Sequence, residues 1–376
     1  MTLKQLLSEM QSRKASDLHL RVGIRPHLRV NGGLVPVDGP VSTPEDLETI
    51  LNQILSERQK ERFARRQELD LALSVAKMGR FRINIYRQRG TVAMAIRAVN
   101  TIVPTFEDLQ LPEVVRKLAD LRRGLIVITG TTGSGKSTTL AAVIEHVNAT
   151  RADNILTVED PIEYIYRDKK SIITQREVGG DTESFSSALR HAFRQDPDTI
   201  LIGEIRDLET MSIALTAADT GHLVLTTLHT MNAVETVSRI ISFFPPHQHQ
   251  QIRLVLSGTL QAIVSQRLLP RCDGPGRCPA VEVLINTAAV RECICDPEKQ
   301  LGIHELIEGG GVQYGMQTFD QSIMKLYREG AIDYDTAMEY TTNPDDFDLR
   351  VKGITGASDR SWQDTPKGEV KPRKYV

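Results

Sequence analysis

Leu125-Ile-Val-Ile-Thr-Gly130-Thr-Thr-Gly-Ser-Gly-Lys136-Ser137 decides the fold. Leu125–Thr129 is an unbroken apolar or β-branched run, as expected of a strand buried on both faces. The next eight residues fit G-x4-G-K-[ST]. Beyond them Leu140, Val143, Ile144 and Val147 share one stripe, which predicts a helix. Strand, glycine loop and helix form the setting in which this motif binds phosphate. The glycines let backbone N–H groups curl around phosphate oxygens, and the helix N-terminus adds partial positive charge. Lys136 is expected to reach the β and γ phosphates, and the Ser137 hydroxyl to ligate magnesium. The predicted binding set is therefore Gly130, Thr131, Thr132, Gly133, Ser134, Gly135, Lys136, Ser137 and Thr138, with ATP and Mg2+ as cofactors.

Downstream, the short apolar runs Asn154–Val158, Thr199–Ile202 and Leu223–Thr226 alternate with helical patterns. One pattern carries Phe185, Ala188, Leu189, Ala192 and Phe193; another opens at Asn232-Ala-Val-Glu235 with a pair resembling a capping box. The alternation predicts an α/β fold with a parallel sheet. Thr199-Ile-Leu-Ile-Gly-Glu204 is a strand ending in a carboxylate. Glu204 is expected near the magnesium or its waters, where many P-loop proteins carry Asp. Thr157-Val-Glu159-Asp160-Pro-Ile-Glu163 places three carboxylates after another strand. One of them should orient or deprotonate the attacking water, and Glu163 is the choice; a charged surface loop would read the same way. His222 and His229 stand at the two ends of one buried run, which suggests a γ-phosphate sensor, with structural histidines as the alternative.

Residues 1 to about 100 read as a mixed α+β unit. Leu3, Leu6, Leu7 and Met10 mark an amphipathic helix; Asp17-Leu-His-Leu-Arg-Val alternates like a half-buried strand; Asn31-Gly-Gly33 signals a tight turn. Thr43-Pro44 starts a second helix, and three antiparallel strands follow between Leu69 and Val99. Arg82 and Arg97 lie on adjacent strands, where arginines supplied across a subunit boundary would stabilise charge developing on phosphates. A solvated basic face gives the same pattern. Residues 101–111 read as a linker, 112–354 as the second domain with residues 245–350 mostly helical, and 355–376, which hold the only tryptophan, Trp362, as a disordered tail.

The chain has 376 residues, enough for two or three domains. Its 46 Lys and Arg nearly balance 48 Asp and Glu, so bulk charge gives no reason to expect nucleic acid. No apolar stretch approaches the ~20 residues a bilayer requires, and the start lacks the apolar core of a secretory signal; a cytosolic location is expected. Cys272 and Cys278 are spaced C-x5-C and Cys293 and Cys295 C-x-C. These spacings favour reduced thiols over zinc.

Taken together, the motifs resemble the PilT family, the retraction ATPases of type IV pili. They are Ser16-Asp-Leu-His-Leu20, Thr129 to Thr138, Val158-Glu-Asp-Pro-Ile-Glu163, Arg194-Gln-Asp-Pro-Asp198, Gly203-Glu-Ile-Arg-Asp-Leu-Glu209 and Thr220 to Thr230. The resemblance runs from about residue 3 to about residue 350. It implies a PAS-like α+β N-terminal domain before a RecA-like P-loop ATPase domain, and a homo-hexameric ring with ATP at the seam between domains and neighbouring subunits. It also implies nucleotide-site roles for Lys136, Ser137, Glu159, Glu163, Glu204, His222 and His229, with Arg82 and Arg97 approaching the phosphates. The expected setting is the cytoplasmic face of the inner membrane, against a platform protein at the pilus base. One stretch departs: where the family carries Ala-Ile-Arg-Asn-Leu-Ile-Arg-Glu, this chain has Ala289-Val-Arg-Glu-Cys-Ile-Cys-Asp296. That leaves open a divergent or accessory retraction paralogue. Pilus-assembly or secretion ATPases and a RecA-like nucleic-acid translocase are the alternatives.

Overall fold

A computed structural model describes residues 1–76 and 78–354. The expectations for the tail 355–376 and Trp362 lie outside the described residues. The chain forms two compact units. The first is Met1–Ile102 together with the short segment Ile162–Ile165; the second is Val103–Pro161 and the described chain from Tyr166 onward.

In the first unit Thr2 caps α1 (Leu3–Ser12) through a reciprocal box with Gln5, and Leu3, Leu6, Leu7 and Met10 are buried. Strands β1 (Asp17–Arg21), β2 (His27–Val30) and β3 (Gly33–Pro36) follow. Asn31 and Gly32 join β2 to β3 with φ of 49° and 83°, the double positive φ that the tightest hairpin turns need. Helices α2 (Pro44–Ile54) and α3 (Glu57–Arg66) precede β4 (Glu68–Val75), β5 (Gly79–Gln88) and β6 (Thr91–Ala98). The six strands pair antiparallel in the order β3-β2-β1-β6-β5-β4. Strand alternation sends Leu18, Leu20, Phe81, Ile83, Ile85 and Ile96 into one core with α1 and α2, and Asp17, Arg82, Asn84 and Arg97 to the other face. Sequence periodicity misses α3 because Phe63 is its single buried residue. The Ser56–Gln59 capping box was the available signal.

The second unit is built on a seven-stranded sheet. Its strands are β7 (Gly124–Thr129), β8 (Asn154–Glu159), β9 (Ile172–Glu177), β10 (Thr199–Ile202), β11 (Leu223–Leu228), β12 (Leu260–Pro270) and β13 (Arg277–Ile285), in the order β13-β12-β7-β11-β10-β8-β9. Strands β12 to β9 in that order run parallel, and β13 is antiparallel to β12. Burial of β7, β10 and β11 is complete on both faces. Helices α4 (Glu113–Ala119), α5 (Lys136–Thr150), α6 (Phe185–Ala192), α7 (Leu208–Asp219), α8 (Ala233–Ser242) and α9 (His249–Thr259) connect the strands or cover the sheet. After β13 come α10 (Ala288–Cys295), α11 (Ile303–Gly309), α12 (Gly311–Tyr314), α13 (Phe319–Arg328), α14 (Tyr334–Tyr340) and α15 (Pro344–Val351). The last three pack with the outer part of the β12–β13 hairpin around Phe319, Ile323 and Phe347.

One expectation is incomplete: residues 245–350 are mostly helical, but two strands were missed among the helices. The hairpin β12–β13 crosses this region and widens the sheet. Its residues are apolar in runs because both faces are covered, so neither strand shows the alternation that marks a half-exposed one.

Candidate functional site

In an open parallel sheet, ligands collect beyond the carboxyl ends of the strands. Here four strands deliver polar groups to that edge: β7 leads into Gly130–Ser137, β8 ends on Glu159, β10 is followed by Glu204, and β11 by His229.

The phosphate-loop geometry depends on glycine at named points. Gly130 has φ of 140°, and a Cβ there would lie 2.4 Å from the Gln266 carbonyl oxygen and 2.6 Å from Ser134 Oγ. Gly135, at φ 93°, is the N-cap of α5 and offers no side-chain acceptor, so the first N–H groups of that helix stay available for an anion. Lys136 is buried. Its Nζ donates to the carbonyls of Gly130 and Thr131 at 2.8 and 2.9 Å, which holds the ammonium against the loop. Burial lowers the Lys136 pKa, and the negative charge of Glu204 opposes that shift. Ser134 Oγ is buried without a protein hydrogen-bond partner. Uncapped helix donors, a buried ammonium and an orphaned hydroxyl suit a polyphosphate; the exposed Ser137 and the carboxylate of Glu204 are hard oxygen donors suited to magnesium.

Glu204 is held from two sides. Arg206 lies 2.5 Å from one carboxylate oxygen, and His229 Nε2 3.4 Å from the other. Its loop is fixed by Gly203, whose N–H donates to Val158 O at 2.8 Å and whose carbonyl accepts from Thr227 Oγ1 at 2.7 Å. A Cβ on Gly203 would stand 3.3 Å from Glu159 Cα, so glycine lets the exit of β10 lie close against the end of β8. Glu159 is itself buried and accepts from Thr157 Oγ1 at 2.7 Å. Arg206 was not singled out from the sequence; its position two residues after Glu204 was the only signal.

The structure brings Lys136, Ser137, Glu159, Glu204 and His229 to one edge of the second unit. Within this chain it does not bring His222 there; as the sequence indicates, the two histidines stand at opposite ends of one strand. His222 precedes β11, at the opposite end of a six-residue strand. Its Nδ1 donates to Ala217 O at 3.0 Å and its ring meets Phe193 edge-on, so it closes the turn between α7 and β11.

Glu163, Arg82 and Arg97 belong to the first unit. Glu163 lies in the segment tied there by Ile165 N–H donating to Asn100 O at 2.9 Å. Arg82 and Arg97 are direct cross-strand partners on β5 and β6, and Asp17 faces Arg97 from β1. Arg97 Nε donates to Asp17 Oδ1 at 2.8 Å. Burial pushes the Asp17 carboxyl up, but the Ser16 hydroxyl and Arg97 outweigh it and hold it below the usual range. The four cysteines are free thiols: Cys278 on β13, Cys272 in the turn before it, and Cys293 and Cys295 on α10. Among the described residues no helix is long and apolar enough to cross a membrane.

Comparison with known proteins gives this geometry its context. The family model for type II/IV secretion system proteins matches residues 1–328. From Pseudomonas aeruginosa PAO1, the type IV pilus ATPase PilU is 43% identical over 355 residues, covering 94% of this chain and 92% of that protein. The type IV pilus retractation ATPase PilT of the same organism is 40% identical over 347 residues, covering 92% of this chain and 100% of that one. A crystal structure of the pilus retraction motor PilT with bound ADP matches at a TM-score of 0.86 and 44% identity, over 92% of this chain and 98% of that one.

Proposed function

The chain belongs to the type II/IV secretion system protein family, as a nucleotide-binding ATPase of the PilT and PilU kind, and from that premise we propose that it is a homo-hexameric motor powering type IV pilus retraction. The observation that carries the reading is the meeting of Lys136, Glu204 and His229 at one sheet edge, beside a helix start without a side-chain cap. Backbone N–H groups of Gly130–Thr138 hold the phosphates, and Lys136 pairs with the β and γ groups. Ser137 and Glu204 hold Mg2+, with Glu159 beside them; the ion, when bound, neutralises charge on the β and γ phosphate oxygens. Glu163 orients the attacking water. His229, through its contact with Glu204, registers whether the γ phosphate is present. Arg82 and Arg97 stabilise charge on a nucleotide held by a neighbouring chain of the ring, with Asp17 fixing the direction of Arg97. The working position is the cytoplasmic side of the inner membrane, against a platform protein at the pilus base.

A second reading, an accessory motor acting beside another retraction ATPase, is favoured by α10. Val290 and Ile294 are buried, whereas Glu292, Cys295 and Asp296 are not. The stretch keeps the buried apolar positions at Val290 and Ile294, replaces the motif's Leu by the half-buried Cys293, and changes three residues that are not buried. Gene deletion scored for pilus number and twitching tests both readings. Hyperpiliated, non-motile cells are expected for the principal motor, and piliated cells with weakened twitching for the accessory one. Bald cells would overturn both.

A further inference from the structure

Glu282 stands near the middle of β13 with 3% of its surface exposed. A carboxylate this far from water is costly unless hydrogen-bonded, and an apolar residue would fill the site more cheaply. Its partners form a line. Glu282 Oε1 accepts from the backbone N–H of Ala233 at 2.7 Å and from Ser265 Oγ at 3.4 Å. Ser265 Oγ in turn accepts from Thr129 Oγ1 at 3.0 Å. Thr129, Ser265 and Glu282 are register partners across the adjacent strands β7, β12 and β13. They make one polar row in an otherwise apolar part of the sheet.

Both ends of the row abut the nucleotide edge. Thr129 is the residue before Gly130. Ala233 opens α8, four residues after His229. Its N–H is one of the donors a helix leaves unpaired at its start; Glu282 satisfies it and sets an acidic group at the positive end of the helix. The segment between is stiffened by the Thr230 and Thr236 hydroxyls, 2.7 Å apart, and by Thr236 Oγ1 donating to Asn232 O at 2.7 Å.

We propose that Glu282 is a positioning residue for ATP hydrolysis, which sets the spacing between the phosphate loop and His229 by joining Thr129, through Ser265, to the start of α8. The inference rests on reading Lys136, Glu204 and His229 as one nucleotide pocket. It touches no reacting atom; it acts by keeping two groups that do at their working separation.

The test is steady-state Mg-ATP turnover by the full chain, with melting temperature followed in parallel. Glu282→Ala is expected to lower kcat roughly tenfold to a hundredfold, the effect of a small misplacement. KM should stay within about twofold, because binding is not what is lost. Glu282→Gln keeps an acceptor oxygen for Ala233 and should hold kcat within about threefold of the parent. Ser265→Ala breaks the row without touching the helix start and should lower kcat by about threefold or more. A purely structural carboxylate would instead shift the melting temperature of both Glu282 variants and leave kcat of the folded enzyme unchanged, which overturns the proposal. Should Glu282→Ala not fold, an unchanged kcat in Ser265→Ala overturns it alone. Lys136→Ala separates the two claims. Normal turnover there would sink the pocket itself; a dead Lys136→Ala beside silent Ser265 and Glu282 variants would sink only the role given to Glu282.

Discussion

A methyl group placed on Gly130 tests the phosphate loop where it has least room. The new Cβ would sit 2.4 Å from the Gln266 carbonyl oxygen, and ordinary contact begins at 3.4 Å. Gln266 lies on β12 one residue beyond its pairing with β7 and is in register with Val281 of β13, so its carbonyl belongs to strand backbone and cannot turn aside as a side chain could. The loop must therefore retreat by about 1 Å, a shift that at a catalytic site costs roughly a hundredfold in rate. That corresponds to about 2.7 kcal/mol of lost transition-state stabilisation. The strained φ of 140° adds about 1–3 kcal/mol to the cost of folding. Gly221→Ala supplies the control: its φ is 106° and nothing lies within 4 Å of its Cβ position. It carries the dihedral cost of about 1–2 kcal/mol alone and stands at the far edge of the sheet. Steady-state kcat/KM and thermal melts of both variants read the difference. Gly130→Ala turnover within about threefold of the parent, or an equal loss of turnover in Gly221→Ala, refutes the claim that loop placement limits the reaction.

Three further outcomes follow from the charges. Glu204→Gln should abolish measurable turnover yet leave ADP binding, followed with a fluorescent analogue, at neutral pH; the alkaline limit of that binding should move to lower pH, because Glu204 raises the Lys136 pKa against burial. Burial pushes the Glu282 carboxyl above its usual range, against the pull of the Ala233 N–H, His304, Arg267 and Ser265. The folded state therefore holds that proton more tightly than the unfolded chain, and its contribution to stability is lost as pH rises above the ordinary Glu value of about 4.3. Denaturant titrations should show the stability of Glu282→Gln minus that of the parent rising with pH, and a difference that stays flat or falls would contradict the assignment. Asp17 has the opposite sign: its depressed pKa stabilises the fold above about 3.9, and the gain disappears as pH falls. Arg97→Ala should remove about 1 kcal/mol at neutral pH, no more because Arg97 is largely exposed, and should move acid unfolding to higher pH.

The phosphate loop was legible because its signals are local: an apolar run, three glycines and a lysine within a dozen residues. The same holds for α1, whose buried positions repeat at helical spacing, and for the Asn31–Gly32 turn. What the sequence concealed depends on neighbours. Leu260–Pro270 is as long as an ordinary helix and apolar without strict alternation, so periodicity alone cannot assign it; the glycines at 274 and 276 were the clue to a hairpin. His222 and His229 look equivalent along the chain, yet a six-residue strand separates them by roughly 20 Å, and only the shared direction of the parallel strands tells which end carries the site. No local pattern marks Glu282 as buried; its burial comes from neighbours distant in sequence, the start of α8 among them. Glu163 follows a strand of one unit and packs with the other, which spacing from Glu159 does not reveal.

The location of β7 has a mechanical consequence. It is bonded along both sides, to β11 from Gly124 through Thr129 and to β12 from Leu125 through Thr129. A pull on the phosphate-gripping loop along the strand axis loads two ladders in shear, many bonds at once. β9, bonded in the sheet to β8 alone, would load a single ladder under the same pull. The fuel is gripped where the sheet is hardest to unzip, as a device must do if it turns phosphate contacts into displacement without tearing its own frame.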